Sequence, residues 1–111
     1  MMERTGVDLL ALLAGFRAVT TASVADAVDR VAQRPGFMSD EIKPIMPAKI
    51  VGPAVTVLER AAREAHPPRH ALAAVDESEP GAIIVIGLED PAGARNVALW
   101  GGLMTAAAVT R

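Results

Sequence analysis

Pro67–Glu89, "PPRHALAAVDESEPGAIIVIGLE", changes its period halfway along. Ala71, Leu72 and Val75 stand at helical spacing behind Pro67-Pro68, which predicts a short helix, because proline suits a first turn whose amides have no partner to lose. Pro80-Gly81 then marks a turn, and Ala82–Glu89 is almost unbroken apolar sequence, the pattern of a strand buried on both faces. Upstream, Ile50–Glu59, "IVGPAVTVLE", is β-branched and apolar and predicts a preceding strand, with Gly52-Pro53 pointing to a bulge or an edge position near its start. A strand, a helix and a second strand form a crossover unit.

The rest of the chain is read outward from that unit. Leu9, Leu10, Leu12, Leu13 and Phe16 form an apolar stripe behind Asp8, predicting a first helix that closes at Gly15 or soon after. In "TTASVADAVDRVAQRPG" Ser23 precedes Asp26 in an approximate capping box. Val24, Ala27, Val28 and Val31 then repeat on one face until Pro35-Gly36 stops the helix. Two prolines make "FMSDEIKPIMPAK" an extended connection, and "NVALWGGLMTAAAVTR", Asn96–Arg111, predicts a last helix. Strands alternating with helices favour an α/β or α+β domain over a bundle or a sandwich.

At 111 residues, 51% of them hydrophobic, the chain reads as one small globular domain with a core, 1–111, and little margin of buried surface, so self-association is expected. It contains no cysteine, which removes disulfides, thiolate metal sites and cysteine nucleophiles. The net charge of −2, with basic residues scattered, provides no phosphate-neutralising stripe. Phe16, Phe37 and Trp100 are the only aromatics, too few for a base-stacking platform, so nucleic-acid binding is not expected. No apolar run reaches the roughly 20 residues of a membrane span, and the expected location is the cytoplasm.

Few side chains suggest chemistry. His66 and His70 are four apart, but Pro67-Pro68 interrupts the helix that would make that spacing useful, so no zinc site is expected. Asp76, Glu77 and Glu79 read as a solvated turn. Glu89-Asp90-Pro91 falls at the C-terminal end of the second strand, where α/β proteins place their ligands, and reads either as a candidate catalytic group or as a polar loop. Gly101-Gly102 opens the last helix. It leaves backbone N–H groups unobstructed for a carboxylate or phosphate, or else permits tight packing beside Trp100.

The ordered set "TTASVADAVDRV", "IVGPAVTV", "RHALAAVDESEPGAIIVIG" and "NVALWGGLMTAAA" resembles the RraA-like family, which holds the regulator of ribonuclease activity A and the 4-hydroxy-4-methyl-2-oxoglutarate aldolases. The resemblance runs from about Thr20 to Arg111. It implies an α/β/β/α sandwich assembled into trimers or hexamers, with sites at subunit interfaces. In the family's aldolases the amides of a Gly-x-x-Leu-type helix start hold the carboxylate end of pyruvate or a 2-oxo acid. The matching residues are Gly101, Gly102, Leu103 and Met104, with Met104 where the family often has leucine.

The family also implies Mg2+ or Mn2+, with a later Arg-Asp pair gripping substrate and anchoring the metal. Arg111 falls inside the helix and is not that arginine, so the resemblance covers a domain incomplete at its C-terminus, with no metal ligand in view and no turnover expected of this chain alone. The expected function is metal-dependent aldol cleavage or decarboxylation of a 2-oxo acid such as 4-hydroxy-4-methyl-2-oxoglutarate or oxaloacetate, releasing pyruvate. The alternative is a non-catalytic regulator that docks on a ribonuclease.

Overall fold

Thr20, one turn before the serine that the sequence suggests, starts the second helix: its side chain accepts from the Ser23 amide at 3.2 Å and donates to Ser23 Oγ at 3.0 Å. The computed structural model describes residues 6–60, 69–90 and 98–110, which fall into two compact units divided between Val51 and Gly52. The first unit is helical. Helix α1, Leu9–Arg17, is capped by Asp8, which accepts from the Ala11 amide at 3.2 Å. Helix α2, Thr21–Ala32, follows after the chain turns through 119°.

The first helix passes Gly15 because one glycine costs a helix only about 1 kcal/mol. The second stops before Pro35, where Gln33 takes a left-handed φ of 55° and returns its side-chain amide to the Arg30 carbonyl at 2.6 Å. Leu12 and Phe16 of α1 and Val24, Ala27 and Val28 of α2 line an open apolar groove of about 540 Å³. None of the described side chains in this unit is buried. From the extended segment that follows, the Lys49 ammonium donates to the carbonyls of Arg17 and Val19 at 2.7 and 2.6 Å. Those carbonyls lie at the end of α1, where the helix itself offers no donor.

The second unit is the crossover. Strand β1, Ala54–Arg60, runs parallel to β2, Ile83–Glu89, with Ala54 opposite Ile83 and Arg60 opposite Glu89. Helix α3, Arg69–Glu77, lies between them in sequence, and helix α4, Gly102–Val109, follows β2 and packs against α3. The parallel pairing requires such a crossover. β1 starts after Gly52-Pro53, and the Pro53 carbonyl extends the ladder by accepting from Ile83 N at 2.8 Å. A Cβ on Gly52 would collide with the Gly81 carbonyl oxygen, so the glycine permits a backbone contact rather than a bulge. At Pro80-Gly81 the Ala82 amide closes a turn onto Glu79 at 3.1 Å, with Gly81 at a φ of 88°.

The core is small. Val57, Ala71, Ala74 and Val75 are buried, with Val55, Ile86 and Met104 packed around the cluster of Val57, Ala71 and Ala74. Alanines on the inner face of α3 bring that helix close to the sheet, and Leu72 is left 41% exposed instead of turning inward. Within this unit the described residues cover one face of β2, not the two that its unbroken apolar sequence predicts. Val85 on β2 and Leu58 on β1 are 45% and 68% exposed, while the side chains alternating with them face the covered side. Parallel sheets normally carry cover on both faces, and the described helices of this unit cover only one. This is the mixed α/β class that the alternation of elements predicts. Among the described residues no single helix is long and apolar enough to cross a membrane.

Candidate functional site

The start of α4 is a helix end with no side-chain cap among the described residues. Gly101 is the N-cap, extended at φ −122° and ψ 165°, and no side-chain cap bond is formed there. Its carbonyl accepts the first helical bond, from the Thr105 amide at 3.1 Å. The amides of Gly102, Leu103 and Met104 precede that bond, so the helix supplies them with no acceptor, and the aligned peptide dipoles add partial positive charge. A carboxylate is the natural complement of three such donors.

The glycines bear on the packing reading of this helix start. A Cβ built on Gly101 or on Gly102 would meet no atom of the described residues within 4 Å, and neither residue is in the left-handed region. Packing among the described residues therefore gives no reason for glycine at either position. Met104 anchors the same turn from the other side, since its side chain packs on the Val57, Ala71 and Ala74 cluster while its backbone amide belongs to the open end. Leu103 and both glycines are exposed.

Trp100 is tied to this turn rather than stacked beneath it. Its indole Nε1 donates to Thr105 Oγ1 at 2.6 Å, and that hydroxyl donates in turn to the Gly101 carbonyl at 3.4 Å. The ring stays 37% exposed.

Other candidates are more dispersed. Glu89 and Asp90 are exposed at the C-terminal end of β2, with Asp90 at a φ of 53°, and Pro91 lies outside the described residues. Asp76 and Glu77 end α3 rather than occupying a turn, and Ser78 closes that helix by donating its amide and its hydroxyl to the Ala74 carbonyl. His70 is exposed in the first turn of α3, while His66 and Arg111 lie outside the described residues. Among the described residues no three His, Asp or Glu side chains converge as a metal site.

One group escaped the sequence reading. Glu59, near the end of β1, has its Oε1 buried with no hydrogen-bond partner among the described residues. The period-two alternation of Val55, Val57 and Glu59 places it on the helix-covered face and was the available signal. An unpaired buried carboxylate oxygen is costly, so a partner would be stabilising here.

Neither a curated protein nor a solved structure matches the chain. A family model does: the RraA-like family, described as Aldolase/RraA, matches residues 21–111, from the first turn of α2 onward. The match spans both strands and the helix whose open amides invite a carboxylate, and on that extent the chain belongs to the RraA-like family.

Proposed function

We propose that this chain carries the substrate-binding part of a 2-oxo acid lyase, of the kind that cleaves 4-hydroxy-4-methyl-2-oxoglutarate or decarboxylates oxaloacetate to release pyruvate. The observation that carries the reading is the helix start at Gly101-Gly102, with no side-chain cap and no described atom where a Cβ would stand. In this reading the amides of Gly102, Leu103 and Met104 hold the substrate carboxylate, and fixed donors of that kind also stabilise negative charge that develops beside them.

The family's divalent cation, Mg2+ or Mn2+, belongs to the proposal as a cofactor. No described side-chain set here is suited to hold it, and no residue of this chain is assigned to it. Assembly into a homotrimer or hexamer belongs to the same proposal, supported by the sheet face bearing Leu58 and Val85, which the described helices of this unit leave open. Docking on a ribonuclease is the second reading in the family. It gives no account of the two glycines, which makes it the weaker one.

Oxalate, a planar mimic of the pyruvate enolate, tests the reading when titrated calorimetrically into the chain in the presence of magnesium. Saturable binding that Gly102→Val abolishes is expected. Binding that survives Gly102→Val unchanged would sink the assignment.

A further inference from the structure

We propose that Trp100 and Thr105 form a clasp that positions the α4 amides for their carboxylate, an inference that rests on the 2-oxo acid reading above. The indole Nε1 donates to Thr105 Oγ1 at 2.6 Å, and the same hydroxyl places its proton on the Gly101 carbonyl at 3.4 Å. One hydroxyl has one proton to give and lone pairs to receive, so the two bonds use it in both directions. The Gly101 carbonyl also accepts from the Thr105 amide at 3.1 Å. Thr105 therefore ties down the N-terminal side of the glycine pair: the residue before it through the indole, and its first member through the carbonyl.

The need for a clasp follows from the glycines. Two consecutive residues without Cβ have more backbone freedom than any other pair, and in this helix start no described residue packs where their side chains would be. A cradle built on such a pair would pay ordering entropy each time it bound an anion. Met104, packed on the core cluster, fixes the C-terminal side of the turn. Trp100, hydrogen-bonded across it, fixes the N-terminal side. The glycines can then stay small for the ligand while the amide directions are set beforehand. Trp100 and Thr105 are positioning residues, acting through the backbone between them.

The clasp predicts which part of Thr105 matters. Thr105→Val keeps the shape and β-branching of the side chain and removes only the hydroxyl, so helix propensity is little changed. Thr105→Ser restores the hydroxyl and loses only a methyl group. The probe is oxalate with magnesium, followed by calorimetry and by the emission of Trp100, the single tryptophan of the chain.

Thr105→Val is expected to weaken oxalate about 3- to 10-fold, the range one net hydrogen bond supports. It should also shift Trp100 emission before any ligand is added. Thr105→Ser is expected to bind within about twofold of the unsubstituted chain by the same scale. If Thr105→Val binds oxalate normally while Gly102→Val does not, the clasp is overturned and the cradle stands. If serine behaves like valine, shape rather than hydrogen bonding is responsible, and the clasp is again overturned. If the unsubstituted chain does not bind oxalate, or Gly102→Val binds it equally well, the 2-oxo acid reading fails and the clasp falls with it.

Discussion

The ammonium of Lys49 donates to the carbonyl of Arg17 from 32 residues further along the chain. With its second bond, to Val19, it provides the end of α1 with charged donors that the helix lacks. Both partners are exposed, and solvent screening reduces what the contact contributes. Lys49→Met is therefore expected to cost about 1 kcal/mol. Faster hydrogen exchange at the end of α1, with α3 unchanged, is the measurement that checks it.

Thr20 rather than Ser23 caps α2, which reverses the order of two substitutions expected from a Ser23–Asp26 capping box. Thr20→Ala should lower stability by about 1 kcal/mol, the usual value of a lost cap. Asp26→Ala should cost less than about 0.5 kcal/mol, as a surface change away from any cap. Comparing the two denaturation midpoints decides the matter, and a larger loss at Asp26 would restore the capping box one turn later.

Gly52 and Gly102 should respond oppositely to a methyl group. Gly52→Ala forces a carbon into the Gly81 carbonyl and is expected to destabilise by about 2 kcal/mol, in the range of overpacking. Gly102→Ala meets no described atom in the first turn of a helix and should be neutral or stabilising by up to about 1 kcal/mol. Under the proposed function it should nevertheless weaken oxalate. Thermal melts beside oxalate titrations of both variants would separate a structural glycine from a functional one.

The one-sided sheet gives a fourth contrast, between neighbours in β1. Val57 is buried, so Val57→Ala should cost about 2 kcal/mol, from the transferred methyl groups and the cavity left behind. Leu58, 68% exposed on the other face, should tolerate threonine at less than about 0.5 kcal/mol. Urea denaturation of both variants checks this, and comparable losses would show that the second face is covered in solution.

Much of this architecture was legible in the residues. The change of period between Val75 and Ile83 marks α3 and β2 to within a residue or two, because a helix and a strand place their apolar groups at incompatible spacings. β1 was legible from its β-branched residues, although its start moved from Ile50 to Ala54, since composition cannot show where a ladder begins. The cap at Thr20 was hidden by two consecutive threonines followed closely by a serine, all of them competent acceptors. Sequence could not reveal that β2 has one covered face, because Ile83–Ile86 is apolar on both sides and coverage depends on the surrounding elements. Gly101-Gly102 could be marked as unusual, but that no described residue packs beside the glycines could not be read from the sequence. Glu59 was overlooked because a lone carboxylate at a strand end looks like an ordinary solvated terminus.

Because β1 and β2 run parallel, Ala54 cannot meet Ile83 until the whole of α3 has been looped back between them. A hairpin nucleates at its turn and zips, and this sheet has no such route. Its first ladder bond comes after a long closure whose entropy is lost before any reward, which places the second unit among slow, non-local folders. The helices of the first unit need only contacts between near neighbours and can form early. On a ribosome or in a refolding jump, the strands would therefore be the last elements to find each other, and the apolar face that α3 and α4 leave open would be exposed to other chains for the longest time.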